Sequence, residues 1–233
     1  MHIFRRSLLT CSVVSLLASG AEAQNKVELQ FLAFPKHQRP QPVELMVAEG
    51  ETIEVQTPGN ELSPVYKVSP LASIVVGKTT INDEGEKSFD VYGQAKSLGV
   101  SKQIILLIRK GAENSDGFVV LPINGELGDF AGGSYFFINA SKLNVAGVIG
   151  DLKFALKPGQ RRMIKPEPDF EDDICQVTFA YQRDDDWKTF KDTRWPTNER
   201  YRSMIFFHQD PESGRLGVAP VIDMLPYQST GTN

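Results

Sequence analysis

The chain has 233 residues, of which 41% are hydrophobic and 23% are charged, and its formal net charge is −4. A chain of this length can bury one large hydrophobic core or two smaller ones. Its mild acidity provides no basic surface for nucleic acid or for an anionic membrane, so we expect neither as a partner.

Residues 1–23 have the pattern of a secretory signal peptide. Two arginines precede an apolar run at residues 8–17, and the sequence ending in Ala23 is a small-x-small cleavage site. The run is too short to span a bilayer. We therefore expect export to the periplasm or the cell exterior, with cleavage after Ala23 and a mature chain that begins at Gln24.

Cleavage leaves Cys175 as the single cysteine, because Cys11 lies in the apolar run. An intramolecular disulfide is then impossible, and the fold has to rest on burial alone. Cys175 has the apolar parity of an alternating strand, which predicts a buried, unreactive thiol. The loss of two arginines and one glutamate brings the net charge from −4 to about −5, and no later stretch is apolar enough to cross a membrane.

The remaining sequence predicts an all-β fold. Short apolar or alternating segments recur between Gly, Pro, Asn and Asp residues, as in β-sandwiches and barrels. One of them, at residues 102–109, is apolar throughout its middle, which predicts a strand covered on both faces. The predicted strands cover residues 27–34, 43–47, 52–56, 65–68, 73–76, 88–92, 102–109, 118–123, 134–138, 145–149, 152–156, 174–182, 187–191, 201–208 and 216–222.

Residues 124–129 are rich in glycine, lack apolar periodicity and form the best candidate linker in the chain. They divide it into two tandem β-sandwich domains, immunoglobulin-like or jelly-roll-like, at residues 24–125 and 130–226. A polar, disordered tail is expected at residues 227–233.

Two segments, at residues 102–124 and 201–223, resemble each other. Each has an apolar strand, a polar loop and a second strand with a proline near its end, Pro122 in one and Pro220 in the other. Duplication of one sandwich would produce this sequence similarity, although any two β-hairpins are somewhat alike. A proline removes a backbone donor, so each final strand is expected at a sheet edge or at a bulge.

Few residues suggest catalysis or metal binding. The histidines left after cleavage, His37 and His208, have no second ligand at metal-binding spacing, and there is no Gly-x-Ser-x-Gly turn. The acidic clusters at residues 167–173 and 184–186 lack the spacing that encloses one Ca²⁺ ion, so solvated loops are the favoured interpretation and calcium stays open.

Aromatic and arginine residues alternate near the end of the second domain. Such side chains can stack on sugar rings or anchor a partner protein. They can equally cap the second core, with arginines covering its edges. The candidate ligand-binding residues are Tyr181, Trp187, Arg194, Trp195, Arg200 and Tyr201.

FAGGSYFFINAS at residues 130–141, VAGVIGDLKFALKPGQ at 145–160 and RYRSMIFFHQDPESGRLGVAPVID at 200–223 resemble a group of uncharacterised exported bacterial β-sandwich proteins. The shared features are an aromatic strand, an asparagine that stops it, a short hairpin and a Pro-Gly turn. The resemblance implies the fold and the exported location. It implies no activity and no site residue.

These observations predict an exported bacterial protein of the cell envelope with a binding or structural role, no catalysis and no cofactor. Its partner would be a protein or a polysaccharide of the envelope. Two alternatives stay open. One is a carbohydrate-binding module that uses residues 187–201, and the other is an enzyme whose acidic residues converge only in the folded chain.

Overall fold

The structure is a computed structural model and describes residues 26–35, 43–110, 117–167, 174–210 and 213–226. The predicted signal peptide, its cleavage site and the predicted C-terminal tail lie outside these residues, as do His37 and most of the first acidic cluster. Among the residues described, no helix is long and apolar enough to cross a membrane.

The all-β prediction is confirmed, and the strands form two sandwich-like halves. The first half pairs a sheet of order β4-β1-β7-β8 with a sheet of order β3-β2-β5-β6. Apolar side chains of both sheets fill the core between them. Its strands are β1 (Val27–Phe34), β2 (Val43–Ala48), β3 (Glu51–Val55), β4 (Tyr66–Val68), β5 (Ser73–Ile81), β6 (Lys87–Lys96), β7 (Lys102–Arg109) and β8 (Phe118–Asn124).

The second half repeats this arrangement. Its sheets have the orders β12-β9-β15-β16 and β11-β10-β13-β14, so each strand takes the place of the strand eight positions earlier. A second core, rich in phenylalanine, lies between them. The strands are β9 (Tyr135–Asn139), β10 (Val145–Ile149), β11 (Leu152–Leu156), β12 (Arg161–Ile164), β13 (Ile174–Arg183), β14 (Asp186–Pro196), β15 (Tyr201–Gln209) and β16 (Leu216–Met224).

Strand register supports an internal repeat more strongly than strand order alone. Pro122 lies opposite Ile105 in the first half, and Pro220 lies opposite Ile205 in the second. The parallel pairs β1–β7 and β9–β15 also correspond. Both prolines lie in edge strands, as predicted. This agreement between the halves is what duplication of one sandwich would leave.

One strand was not predicted and several are longer than expected. The sequence of β12 begins with two arginines and has no apolar alternation, so it gives no strand signal; pairing with β9 places it in the sheet. The hairpins β5–β6 and β13–β14 extend beyond their apolar residues because their outer parts pair through the backbone while exposing polar side chains.

The two halves pack against each other through a third core. It joins the outer faces of the sheets that contain β1 and β9. In β7, Ile105 and Leu107 face the first core while Ile104 and Leu106 face the third. This confirms that β7 is covered on both faces.

The segment between β8 and β9 contains the predicted linker and is held in place by Arg202. This fully buried arginine donates hydrogen bonds from Nη1 to the carbonyl oxygens of Gly125, at 2.9 Å, and Phe130, at 2.8 Å. Its Nε lies 2.8 Å from Oδ2 of Asp223. The linker is therefore fixed to the second half by charge-assisted hydrogen bonds.

Asn139 stops β9 by hydrogen bonding to nearby backbone, as predicted. Its buried side-chain amide donates to the carbonyl oxygens of Leu143 and Leu156, at 2.8 and 3.0 Å, and its Oδ1 accepts from the backbone N–H of Ser141. Cys175 is buried as predicted, and burial raises the pKa of its thiol.

Candidate binding cleft

The two halves differ at one side of the sandwich. In the first half, edge strand β6 lies along edge strand β8 and closes that side. Gly93 of β6 makes this approach possible. A Cβ atom there would lie 2.6 Å from the carbonyl oxygen of Phe118 and 2.8 Å from Cγ2 of Val120. Any larger residue would therefore push the two edges apart.

The equivalent position in the second half is Lys191. Gly93 lies opposite Val76, Lys191 lies opposite Phe179, and both pairs are next to a β-bulge. The Lys191 side chain is exposed. The structure shows no comparable approach of β14 to β16 over the described part of these strands. This side of the second sandwich is therefore open, and we call the space between β14 and β16 the open cleft.

The opening uncovers a row of apolar residues on β16. Phe118 and Val120 of β8 are only 3% and 7% exposed. By strand pairing, their equivalents are Leu216 and Val218, which are only partly buried. Further along β16, Pro220 is exposed and Ile222 is 51% exposed. Positions that β6 covers in the first half are thus not covered by any described strand in the second.

One end of the open cleft is wide and is lined by two arginines. It has a volume of about 590 Å³. Arg183 and Arg215 lie in its wall, and neither makes an ion pair with a carboxylate in the described chain. The lining residues are Leu143, Tyr181, Arg183, Phe190, Gln209, Ser213, Gly214, Arg215 and Leu216.

The other end is smaller and mostly apolar, with a volume of about 140 Å³. The hydroxyl of Tyr135 donates to the carbonyl oxygen of Pro196 at 2.7 Å. Burial raises the pKa of Tyr135 and of Tyr201, so both phenols stay neutral. This end is lined by Tyr135, Trp195, Pro196, Tyr201, Ser203, Ile205, Pro220 and Ile222.

The predicted ligand-binding residues are spread over the second sandwich rather than gathered at one point. Tyr181 lines the wide end of the open cleft, and Trp195 and Tyr201 line the apolar end. Trp187 is 49% exposed beside the β13–β14 turn. Eight strand residues, about 25 Å, separate it from Trp195. Two further candidates, Arg194 in β14 and Arg200 in the following loop, are exposed.

Trp195 also belongs to the edge of the second core. Its ring centroid lies 5.3 Å from that of Tyr135, 5.4 Å from that of Phe179 and 6.4 Å from that of Phe137. The core-capping alternative, which concerned Trp187 and Phe190, holds for Phe190, which packs against the second core together with Trp195. Trp195 also lies in the cleft wall and is only partly buried. Trp187 makes no such packing contact among the described aromatic pairs.

Sequence reasoning missed the β16 side of the cleft. The apolar residues between Leu216 and Ile222 look like those of an ordinary strand. Strand pairing alone shows that, in the described part of the chain, no neighbouring strand covers their cleft side. The sequence carries one signal of the open cleft: the position of Gly93 in the first half is occupied by Lys191 in the second. It becomes visible once the two halves are aligned strand by strand.

The described residues contain no cluster of three or more histidine, cysteine, aspartate or glutamate side chains that could hold a metal. Among the residues that the structure describes, no carboxylate lines either end of the cleft. His208 packs edge-on against Phe34, with ring centroids 5.6 Å apart. The second acidic cluster occupies the β13–β14 turn, where Asp184 adopts a φ of 58°.

No protein-family model matches the chain, and comparison with curated proteins gives no match either. The resemblance to exported bacterial β-sandwich proteins therefore stays an expectation.

Proposed function

We propose that this is an exported, non-catalytic binding protein of the bacterial cell envelope, and that it holds its ligand in the open cleft between β14 and β16. The observation that carries this proposal is the contrast between equivalent residues. Phe118 and Val120 are buried in the closed half, whereas Leu216 and Val218 are only partly covered in the open half.

Burial of apolar surface is favourable by a free energy of roughly 25 cal/mol per Å². An uncovered apolar row beside polar groups that converge on it is typical of a binding site. Here the convergent polar groups are Arg183, Arg215 and Gln209 at the wide end. The closed half then supports the open half through the third core and so fixes the position of the cleft.

A second candidate function is carbohydrate binding at the β13–β14 turn. It is favoured by the half-exposed ring of Trp187, which projects from an edge strand near Arg183. An accessible indole face with neighbouring hydrogen-bond donors suits a sugar ring. This candidate uses a different part of the second half from the apolar end of the cleft.

The two tryptophans distinguish the two candidates. The chain contains only Trp187 and Trp195. Trp187→Phe leaves Trp195 as a reporter of the open cleft, and Trp195→Phe leaves Trp187 as a reporter of the turn. Each variant is titrated with soluble envelope polysaccharides, peptidoglycan fragments and a pool of unstructured peptides while tryptophan emission is recorded.

A saturable shift of Trp195 emission supports the cleft, and a shift confined to Trp187 supports carbohydrate binding at the turn. Ile222→Asp is expected to abolish the Trp195 response. Ile81→Asp is the matched control, because Ile81 is 63% exposed on the first half, away from the cleft. If neither tryptophan changes its emission with any of the probes, both candidate functions are contradicted.

Export is tested separately. The full chain is produced in a Gram-negative host, and the N-terminus of the periplasmic product is sequenced. We expect it to begin at Gln24. An uncleaved cytoplasmic product would overturn the proposed location without affecting the cleft.

A further inference from the structure

We propose that the ligand of the open cleft is an extended polypeptide segment of a partner protein. The segment adds as a strand to the free edge of β14 and places a carboxylate beside Arg183 and Arg215. This inference rests on the proposed function and names the class of ligand that the same cleft would take.

The backbone of β14 supplies the first argument. β14 is an eleven-residue edge strand that pairs with β13 on one side only. Its N–H groups are intact up to Trp195, whereas Pro220 removes one donor from the middle of β16. A free edge of this length accepts an added strand through main-chain hydrogen bonds. A polysaccharide cannot continue a β-ladder.

A second argument comes from the spacing of the apolar residues on β16. Leu216, Val218, Pro220 and Ile222 occupy alternate positions of β16 and therefore lie on one face of it, toward the cleft. Phe190 and Trp195 border the cleft from β14. A bound strand that presents an apolar side chain at every second residue would cover this row. Residues of β6 provide the equivalent cover for β8 in the first half.

Charge gives the segment a direction. Both arginines lie at the end of the cleft where β14 begins, and the opposite end is lined mainly by aromatic and aliphatic side chains. A C-terminal carboxylate at the arginine end would place the segment antiparallel to β14. Leu216 at one end and Ile222 at the other are six residues apart on β16, roughly 20 Å, which corresponds to a bound segment of about six to eight residues.

The test uses random nine-residue peptides displayed with free C-termini and selected on the purified protein. Selected peptides are expected to have apolar residues at every second position. Their binding in solution is then measured by fluorescence anisotropy. Amidation of the C-terminus, or the double substitution Arg183→Gln and Arg215→Gln, should weaken binding at least tenfold. Ile81→Asp should leave it unchanged.

Strand addition has its own readout. Peptides carrying N-methyl groups on alternate amides are made in two sets, so that one set blocks the amides that face β14 and the other blocks those that face away. One set should lose binding and the other should keep it. Equal affinity of both sets would show that the peptide does not pair with an edge and would overturn the inference.

Failure of this inference differs from failure of the proposed function. If no alternating peptide is selected while a polysaccharide shifts Trp195 emission, the cleft is a binding site for another ligand and the strand inference is wrong. Another outcome is that amidation of the C-terminus leaves the affinity unchanged while methylation of one set of amides lowers it. In that case an acidic side chain within the peptide supplies the carboxylate beside the arginines, and the double arginine variant must still weaken binding. If no probe shifts Trp195, both proposals fail.

Discussion

Phe34 of β1 and Phe206 of β15 stack face to face across the boundary between the two halves, with ring centroids 4.2 Å apart and planes 9° from parallel. They belong to the third core, whose members are drawn from both halves and from the connecting segment. Because this core is shared, unfolding of one half exposes apolar surface of the other. The halves are therefore expected to unfold as one cooperative unit.

Phe206→Ala should lower the free energy of unfolding by about 3–5 kcal/mol, because it leaves a cavity in the shared core. It should also weaken the coupling between the halves. Urea denaturation is followed by tryptophan emission, which reports on the second half, and by far-ultraviolet circular dichroism, which reports on both. The two curves should coincide for the native protein and separate for the variant.

Ile81→Ala is the control for this measurement. Ile81 is exposed on the first half, so its truncation should change stability by no more than about 0.5 kcal/mol. Separate transitions in the native protein would contradict the cooperative unit.

Arg202→Ala should destabilise the fold by about 3–5 kcal/mol, because it leaves Asp223 without its partner and removes the donor to the Gly125 and Phe130 carbonyls. An exposed ion pair provides the comparison. Lys67 lies 3.2 Å from Glu28 at the surface, and Lys67→Ala should cost less than about 1 kcal/mol. Chemical denaturation measures both; equal losses would show that burial of Arg202 does not matter.

Gly93→Ala should destabilise the first half by about 1–3 kcal/mol, because the new Cβ atom would overlap the Phe118 carbonyl. Gly128→Ala is the matched control, since a Cβ atom at Gly128 meets nothing within 4 Å. Amide hydrogen exchange should also quicken in β6 and β8 of Gly93→Ala alone. A neutral effect at Gly93 would contradict its role in closing the first sandwich.

Glu44 provides a pH-dependent prediction. Hydrogen bonds from the hydroxyls of Thr79, at 2.5 Å, and Thr52, at 2.7 Å, hold the pKa of its carboxyl below the usual value. A lowered folded-state pKa stabilises the protein above the unfolded-state pKa, and this stabilisation is lost as the pH falls through the folded-state pKa.

Glu44→Gln should therefore reduce the free energy of unfolding at pH 7, and the difference from the native protein should shrink toward pH 3. Denaturation curves at several pH values measure it. Glu51→Gln serves as the control, because Glu51 is an exposed residue of the neighbouring strand that lies opposite Ala48 rather than Glu44. A difference that grows on acidification would contradict the assignment.

Much of this fold could be predicted because its strands follow local rules. The apolar middle of β7, the asparagine that ends β9 and the prolines of the two edge strands each have a local physical cause. The third core could not be predicted, since Leu32 and Leu106 alternate along their strands in the same way whether they face solvent or another sheet. The cleft-lining residues of β16 were missed because their exposure depends on the position of a distant strand.

The candidate aromatics were only partly informative for the same reason. Composition brought Trp187 and Trp195 into one cluster, but a long strand places them at opposite ends. Their separation follows from strand rise, which the sequence implies only when the whole of β14 is recognised as one element.

The shared third core also affects how the sequences of the two halves can evolve. A sandwich that leaves one side unsealed would struggle to persist alone, because its exposed interior would invite aggregation. Here the closed half packs through the third core against the outer face of the sheet that contains β9, and so stabilises the open half from outside its own sandwich. Exposed residues at the border of the open cleft, such as Arg215 and Ile222, lie outside the second core and can therefore vary without loss of the fold.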